Sequence, residues 1–484
     1  MSSSRTPSLF ISSIPVLCLL LSLICVIVFS GASAVADYSQ YVLLGAAFVA
    51  IALSMVCGSF SRRGLQVGFR RSAAQILPAV PMLVFIAMVS TTWMLSGVVP
   101  FLIDCGLSYL NPRLFLVICC AVCSMISVLT GSSWSTIATI GVAFMGIGTV
   151  MGFHPGWVAG AIISGAYFGD KVSPLSDTTV VASSACGVDL FKHIRYLLLT
   201  SVPAMAVALA VFAIAGFTAD TVSTGGADDI RMLLASRFNL TPWVLMIPAL
   251  TFVLIILRVP TIITLFCSSM LGLAGIFFFQ PATIGLENLP ATLSEVARLL
   301  WSETVFSTGN ATFDELVSTS GITGMLSTIA LVLCAMLFGT AMIGTGMLNT
   351  LTRALTRRLK SRLSLVGATV GSGLFLNSCT ADQYLSIIIG GNMYRNAYRC
   401  FGLEPRLLSR TLEDSVSVTS VLIPWNSCGV TQSAVLGVAT LTYLPFCIFN
   451  YLSPLMSLFM AVTGFKIRQT IRAPHPIAVG VVQK

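Results

Sequence analysis

The sequence predicts an all-α polytopic membrane protein with about 11 to 13 spanning or half-spanning segments. Hydrophobic residues make up 56% of the 484 positions, charged residues make up only 9%, and the mean hydropathy is +0.94. Soluble domains carry roughly 25% charged residues. Apolar runs of about 20 residues recur along the chain, and a helix of that length crosses a hydrocarbon core of roughly 30 Å. These observations place most of the chain in a lipid bilayer.

Residues 1–110 form the first region, which we interpret as scaffold helices. Its apolar runs lie around 11–33, 41–60 and 76–101. The first run, followed by Ala34-Val35-Ala36, also resembles a secretory signal with its cleavage site. The run is long for such a signal, and the charge distribution described below agrees with its being the first span.

Residues 111–217 form the first repeat core. An apolar stretch meets Thr130-Gly131-Ser132-Ser133-Trp134-Ser135-Thr136 and then turns back, which predicts a re-entrant hairpin over 114–151. The next stretch, 156–188, contains the motif GDKVSPLSDTT at 169–179. Pro174 removes a backbone donor and frees the carbonyl four residues upstream. A broken helix is therefore expected over 156–188.

Residues 218–347 contain scaffold helices and two long loops, and residues 348–464 form a second repeat core. A hairpin is predicted over 364–394, with Asn377-Ser378-Cys379-Thr380-Ala381-Asp382-Gln383 at its tip. A second broken helix is predicted over 411–445, because Glu413-Asp414-Ser415 and Pro424-Trp425-Asn426 interrupt an apolar stretch. Residues 465–484 are the predicted cytoplasmic tail.

The positions of lysine and arginine predict the orientation, because cytoplasmic loops retain positive charge. When the spans are placed across a membrane in order, 21 of the 26 basic residues fall on the same side. The others are Lys171, within the membrane, and Arg113, Arg231, Arg237 and Arg298, on the opposite side. The N- and C-termini are therefore expected in the cytoplasm. The two long loops, about 218–241 and 281–321, are acidic and lie on the other side. The net charge of +9 follows from this topology, so no nucleic-acid partner is implied.

With this topology, the two repeat cores enter the membrane from opposite sides. A hairpin followed by a broken helix occurs twice, with inverted orientation. Discontinuous helices in inverted repeats are a recurring plan of secondary transporters, in which helix ends and unwound carbonyls bind substrate and cation near the midplane. The sequence therefore predicts a carrier that works by alternating access around a central site.

Several long motifs resemble the NhaC family of Na⁺/H⁺ antiporters in the ion transporter superfamily. They are GSSWSTIATIGVAFMGIG (131–148), GDKVSPLSDTT (169–179), DLFKHIR (189–195), DQYLSIIIGGNMYRNAY (382–398) and LSRTLEDSVSVTSVLIPWNSCG (408–429). The resemblance implies exchange of Na⁺ (or Li⁺) for H⁺ across a bacterial cytoplasmic membrane, with no ATP and no cofactor. Some relatives couple these ions to malate and lactate or to amino acids, so an organic acid or amino acid antiporter is the alternative.

The oxygen-bearing side chains of the hairpin tips and broken helices are the candidate ion-binding and proton-coupling residues. Na⁺ needs hard oxygen donors, and a carboxylate at membrane depth faces a protein interior or a water cavity. The first candidates are Asp170, Ser173, Ser176, Asp177, Thr178, Thr179, Asp382, Asp414 and Asn426; the secondary candidates are Ser133, Thr136, Lys171, Asn377, Ser378, Thr380, Glu413 and Thr419.

Asp177 is the preferred carrier, because no cation stands beside it in the sequence. Na⁺ is expected to bind there together with neighbouring oxygens. The same carboxylate should accept either a proton or a Na⁺, which makes the two ions compete. A structural alternative for its neighbours remains open, in which Asp170 and Lys171 form an ion pair that stabilises the helix break.

The acids of the second repeat have structural alternatives as well. Glu413 and Asp414 could pair with Arg410, and Asp382 could cap a helix. The glycines from Gly339 to Gly346 suit close helix packing or the face of a homodimer.

Other functional classes fit the sequence less well. An enzyme is not expected, because GxSxG, HExxH and GxxxxGK[ST] motifs are absent from the sequence. A channel usually builds its path by symmetry between subunits, whereas an inverted repeat within one chain favours a carrier.

Overall fold

The computed structural model describes residues 7–31, 34–219, 225–281, 289–304, 310–356 and 359–467. Within these ranges the regular secondary structure is helical, apart from an isolated bridge between Thr304 and Thr319. Most of the predicted tail, and also Arg5, Arg357 and Arg358 of the orientation argument, lie outside the described residues. The α-helices span Leu9–Ser30, Val35–Val56, Arg62–Ile76, Ala79–Leu95, Val98–Tyr109, Pro112–Thr130, Ser133–Val150, Pro155–Val172, Asp177–Cys186, Leu190–Thr218, Gly225–Arg237, Met246–Ile256, Thr261–Phe279, Leu289–Trp301, Ala311–Val317, Gly321–Gly344, Met347–Leu355, Arg362–Thr380, Gln383–Cys400, Pro405–Leu412, Ser427–Leu436, Thr440–Tyr443 and Ile448–Thr463.

The described residues contain nine helices that are long and apolar enough to cross a membrane, when Arg62–Ile76 and Ala79–Leu95 are counted together as the one span Arg62–Leu95. The number rises to eleven if each of two bent pairs counts as one span, namely Asp228–Arg237 with Pro242–Ile256 and Thr440–Phe446 with Ile448–Thr463. The helices that carry the charged motifs are too polar or too short to meet these criteria, so they are not included in either number. The predicted all-α polytopic membrane fold is confirmed.

Two runs of helices match each other at a separation of 250 positions. Pro112–Thr130 corresponds to Arg362–Thr380, Ser133–Val150 to Gln383–Cys400, and Asp177–Cys186 to Ser427–Leu436. Gly187 and Gly437 end the last pair, both in the left-handed conformation. No insertion or deletion separates the two runs, so the chain repeats the same order of helices.

The first hairpin tip is built by local hydroxyl hydrogen bonds. Helix Pro112–Thr130 ends at Gly131, whose φ of 67° costs glycine little because it has no Cβ. The Thr130 hydroxyl lies 3.3 Å from the Thr136 hydroxyl and accepts a 3.2 Å hydrogen bond from the Ser132 backbone N–H. Ser132 then caps the next helix by accepting from Ser135 N. The chain thus ends one helix and starts another within two residues.

The second hairpin tip has the same construction, 250 positions later. Ala381 takes the left-handed conformation with φ 55°. The Thr380 hydroxyl lies 2.8 Å from the Ser386 hydroxyl and accepts from the Asp382 backbone N–H at 3.4 Å. Asp382 caps helix Gln383–Cys400 by accepting a 2.8 Å hydrogen bond from Leu385 N. The tip motif is therefore Thr-x-Ser/Asp-x-x-x-Thr/Ser in both halves.

Close packing of two helices positions the first charged motif. Helix Pro155–Val172 lies directly against Pro112–Thr130 through glycines. A Cβ at Gly165 would lie 2.2 Å from the Cys120 carbonyl oxygen, and one at Gly169 would lie 2.4 Å from the Ser124 carbonyl oxygen. Small residues allow this approach of two backbones. The contact brings the carboxyl end of the helix, with Asp170, next to the first hairpin tip.

Glycines of the predicted packing run contact helices of the same chain. A Cβ at Gly344 would lie 2.7 Å from the Leu65 Cα, and one at Gly339 would lie 3.0 Å from the Thr380 carbonyl oxygen. These two glycines therefore serve packing within the chain.

Candidate functional site

The first broken helix places two aspartates on either side of its break. Helix Pro155–Val172 ends two residues before Pro174, and helix Asp177–Cys186 starts after the break with Ser176 as its N-cap. Asp170 lies in the last turn of the first part, and Asp177 is the first residue of the second. The break frees backbone groups at both helix ends, so carbonyl and hydroxyl oxygens gather around the two carboxylates.

Asp170 is buried and bonded to the first hairpin tip. Its Oδ2 accepts hydrogen bonds from the Ser133 hydroxyl at 2.7 Å and from the Ser133 backbone N–H at 3.2 Å. Its Oδ1 accepts from the Ser176 hydroxyl at 2.5 Å. Ser133 is the first residue of its helix, where the helix dipole favours negative charge. The geometry thus stabilises a carboxylate at this position.

A chain of hydroxyls links Asp170 to the second repeat. The Ser176 and Thr178 hydroxyl oxygens are 3.0 Å apart, and Thr178 Oγ1 lies 2.9 Å from Glu413 Oε1. Glu413 is fully buried, and its Oε2 has no hydrogen-bond partner among the described residues. It begins the π-helical segment Glu413–Ser417, and π-bulges are frequent at functional sites. Two carboxyl groups from different repeats are therefore joined through two hydroxyls.

Asp414 belongs to a different cluster, centred on Lys171. The Lys171 ammonium forms an ion pair with Asp414 Oδ1 and donates to the Ser453 hydroxyl at 2.7 Å. Thr200 and Ser453 donate to the same Oδ1 at 3.1 Å each, and Ser457 donates to Oδ2 at 2.5 Å. Asp414 is thus surrounded by donors. The structural alternative in which Lys171 pairs with Asp170 is not found, because Lys171 reaches across to the second repeat.

Arg410 lies beside this cluster in the interior. Its side chain is fully buried, its Nε is 3.9 Å from Asp414 Oδ2, and its guanidinium lies over the Tyr196 ring at 4.3 Å. Glu413 and Asp414 are the two expected partners of Arg410, which is counted among the cytoplasmic cations. The pairing with Asp414 is found, whereas Glu413 contacts Thr178 instead, because helix Pro405–Leu412 turns Arg410 inward, towards Asp414.

A cavity of about 540 Å³ opens onto the first cluster. It is bounded by the first hairpin tip, the first break, the start of helix Gln383–Cys400 and the turn that contains Arg258. Asp170, Asp177 and Thr178 line it. Asp177 is exposed there, whereas Asp170 lies behind it in the hydroxyl network. The preferred carrier of the sequence analysis therefore lies on the cavity wall, in front of a better-coordinated aspartate.

The remaining predicted residues mostly bond to the backbone. The hydroxyls of Ser173, Thr179, Thr136, Ser378 and Thr419 donate to the carbonyls of Val128, Lys171, Ser132, Leu374 and Ser415, respectively. Asn426 caps helix Ser427–Leu436 and donates to the Asn377 carbonyl at 3.2 Å. Asn377 in turn donates to the Val416 carbonyl at 2.7 Å. These residues hold the two breaks and the second tip in place.

Sequence reasoning missed several residues of the site. Ser453 and Ser457 share one face of helix Ile448–Thr463, and this spacing of four in an apolar helix was the available signal. Thr200 carried no such signal. Tyr384 and Arg258 also line the cavity. Arg258 lies in a turn between two scaffold helices, and a single sequence does not reveal which of these turns reaches the site.

Comparison with known proteins gives consistent matches. The profile described as Na⁺/H⁺ antiporter family matches residues 4–187 and 165–465. The Na⁺/H⁺ antiporter NhaC of Alkalihalophilus pseudofirmus is 35% identical over 89% of this chain and 93% of its own length. The arginine/ornithine antiporter ArcD of Halobacterium salinarum is 33% identical, over 83% of this chain and 81% of its own length. The malate-2H⁺/Na⁺-lactate antiporter of Bacillus subtilis is 30% identical, over 88% and 89% respectively.

Proposed function

The chain belongs to the Na⁺/H⁺ antiporter family, and we propose that it exchanges Na⁺ or Li⁺ for H⁺ at Asp170 across a bacterial cytoplasmic membrane. The position of Asp170 carries this assignment. Asp170 lines the cavity and also ends the hydroxyl chain that leads to Glu413. An ion arriving through the cavity therefore meets a carboxylate that is already connected to a second acid.

The oxygens around Asp170 suit a small hard cation. The Ser133 and Ser176 hydroxyls each lie within hydrogen-bonding distance of the Asp170 carboxylate. Na⁺ would replace the hydroxyl hydrogens as the partner of the carboxylate, and the hydroxyls would rotate to present lone pairs. Asp177 and Thr178 on the cavity wall supply further oxygens for entry.

Counting hydrogens along the chain explains how a proton competes with Na⁺. Three contacts join Asp170, Ser176, Thr178 and Glu413 in a row. Each hydroxyl contributes one hydrogen, so two hydroxyls satisfy only two of the three contacts. The third hydrogen must come from a carboxyl group. The row is complete when one proton is held by either Asp170 or Glu413.

Moving that proton reverses all three hydrogen bonds. With the proton on Glu413, the hydrogens point towards Asp170, which is then a carboxylate. For exchange, Na⁺ takes the place of the third hydrogen beside Asp170 and the proton leaves to the cavity. The two hydroxyls then present lone pairs on the side of Na⁺ and their hydrogens point towards Glu413. With the proton on Asp170, the hydrogens point towards Glu413 and the cation site is neutral. The O–H bond of one acid breaks as that of the other forms, and each hydroxyl passes on one hydrogen. Burial of Glu413 without an ion-pair partner among the described residues favours its holding the proton.

The matching helix runs support alternating access. In the predicted topology the two repeats are inverted, and both termini are cytoplasmic. The cavity then opens towards the cytoplasm, because it is lined by Pro78 and Arg258, which lie next to predicted cytoplasmic segments. Exchange needs only an ion gradient, without a cofactor, and catalysis of a chemical reaction is not part of this function. Assembly as a homodimer stays a prediction.

Transport of an organic solute is the second candidate. A volume of about 540 Å³ exceeds what a bare cation needs and lies in the range of small-molecule sites. Two of the relatives described above are named for amino acid and organic acid exchange. In this alternative Na⁺ or H⁺ would couple to a carboxylate or amino acid on the same scaffold.

Proteoliposomes with an interior pH dye test the proposal. Na⁺, Li⁺, K⁺, malate, lactate and arginine are added in turn to wild type, Asp170→Asn and Asp177→Asn. We expect a response to bare Na⁺ or Li⁺ that disappears in Asp170→Asn and is only weakened in Asp177→Asn. Full exchange in Asp170→Asn would exclude it as the carrier. A response that requires an organic solute would favour the second candidate.

A further inference from the structure

Arg258 has an unusual backbone conformation for its residue type. It follows helix Met246–Ile256 with φ 59°, in the left-handed region. Its N–H donates to the Ile255 carbonyl at 2.9 Å, and Val259 N donates to the Leu254 carbonyl at 3.1 Å. These two bonds form a Schellman motif, in which glycine usually takes the left-handed position. Arginine costs free energy there, so the local backbone does not explain this residue.

The side chain lies where it can act on transported ions. Arg258 lines the same cavity as Asp170 and Asp177 and is the sole basic residue among the described residues that do so. Its guanidinium forms no hydrogen bond or ion pair with the described residues. A free guanidinium therefore faces the route to the cation site.

We infer that Arg258 sets how strongly the cavity attracts cations over anions, and that its charge keeps the affinity for Na⁺ moderate. The inference rests on the proposed exchange of Na⁺ for H⁺. Two aspartates alone would give the cavity a doubly negative wall, which would concentrate cations and slow their release. Arg258 offsets one of these charges. It acts through the field, without coordinating the ion.

Neutralising the charge should lower KM for the cation. A unit charge on the order of 10 Å from the ion changes affinity about twofold in water and more than about tenfold at the effective dielectric constant of a protein surface. We expect Arg258→Gln to lower the Na⁺ KM by a factor in this range in everted membrane vesicles, which expose the cytoplasmic face. Because the effect acts on charge, the Li⁺ KM should fall equally. The shift should shrink when an inert salt such as choline chloride is raised to about 0.3 M.

Two controls separate charge from other causes. Arg258→Lys keeps the charge and should behave as wild type. Arg399→Gln removes an exposed arginine that does not line the cavity and should leave KM unchanged. Arg258→Asn is a second neutral variant suited to the left-handed conformation, so a folding defect in one neutral variant does not leave the question open.

The outcomes decide between explanations. An unchanged Na⁺ KM in both neutral variants overturns the inference, as does an equal shift in Arg258→Lys or Arg399→Gln. If neutral variants keep the Na⁺ KM but lose a response to malate or arginine, Arg258 binds an anionic group of the cargo instead. A wild-type protein without any Na⁺-driven response would refute the proposed function itself, which distinguishes that failure from failure of this inference.

Discussion

Replacing Asp414 with asparagine should strongly destabilise the protein, because its cluster joins the two repeats. Asp414 is fully buried. It forms an ion pair with Lys171 and accepts hydrogen bonds from the hydroxyls of Thr200, Ser453 and Ser457. The substitution keeps the size and one acceptor oxygen but removes the negative charge. Lys171, which is 1% exposed, then remains in the interior without a counter-charge.

The magnitude follows from that burial. Removing one partner of a buried ion pair costs about 3–5 kcal/mol, because the other charge stays desolvated. Arg410 Nε lies 3.9 Å from the same carboxylate, so a second buried cation also loses its counter-charge. Lys171→Met should cost less, because three hydroxyls and Arg410 still surround the carboxylate. The double variant should lose less free energy of unfolding than the two single variants lose together. The difference, which is the coupling energy of the pair, should be at least about 1.5 kcal/mol.

The assay is the free energy of unfolding in mixed detergent micelles for wild type, both single variants and the double variant. A matched control is the pair of Arg231 and Asp104, joined at 2.8 Å but with side chains 38% and 24% exposed. The same cycle there, with Arg231→Met and Asp104→Asn, should give a coupling below about 1 kcal/mol. A loss below about 1 kcal/mol in Asp414→Asn, or equal couplings in the two cycles, would refute the reasoning.

Three further predictions test other parts of the structure. Thr178→Val breaks the row of hydroxyls to Glu413, so the rate of Na⁺/H⁺ exchange should fall about 10²-fold while sodium self-exchange continues. Thr178→Ser keeps the hydroxyl and should restore Na⁺/H⁺ exchange. An equal loss of both activities in Thr178→Val would contradict the relay. Arg258→Asn should raise the free energy of unfolding by about 0.5–1 kcal/mol, because asparagine tolerates the left-handed conformation better; a lower thermal midpoint would contradict this. Gly165→Ala places a Cβ 2.2 Å from the Cys120 carbonyl oxygen and should lower the free energy of unfolding by about 1–3 kcal/mol. Gly371→Ala, whose Cβ would have no atom within 4 Å, should not destabilise the protein. Equal thermal midpoints for the two variants would show that the helices can separate freely.

The transport function could be inferred from local features of the sequence. Hydropathy predicts the spans, because a helix in lipid must be apolar over its whole length. Pro174 predicts the first break, since proline removes a donor within a single turn. The threonine, serine and aspartate residues of the tips predict helix starts for the same local reason. The proline and capping effects act within about four residues of their cause, and hydropathy acts within one span of about 20 residues, so one sequence is sufficient to recognise them.

The identity of the partners depended on tertiary structure. Lys171 stands beside Asp170 in the sequence but pairs with Asp414, and Glu413 stands beside Asp414 but contacts Thr178. Neighbouring residues on a helix point in directions about 100° apart, so each meets a different packed element. Which element lies there depends on close helix contacts such as that at Gly165. The sequence by itself therefore determined the spans, the breaks and the class of transport, whereas only the packing of the two repeats decided which acid faces the cavity and which is neutralised by a buried lysine.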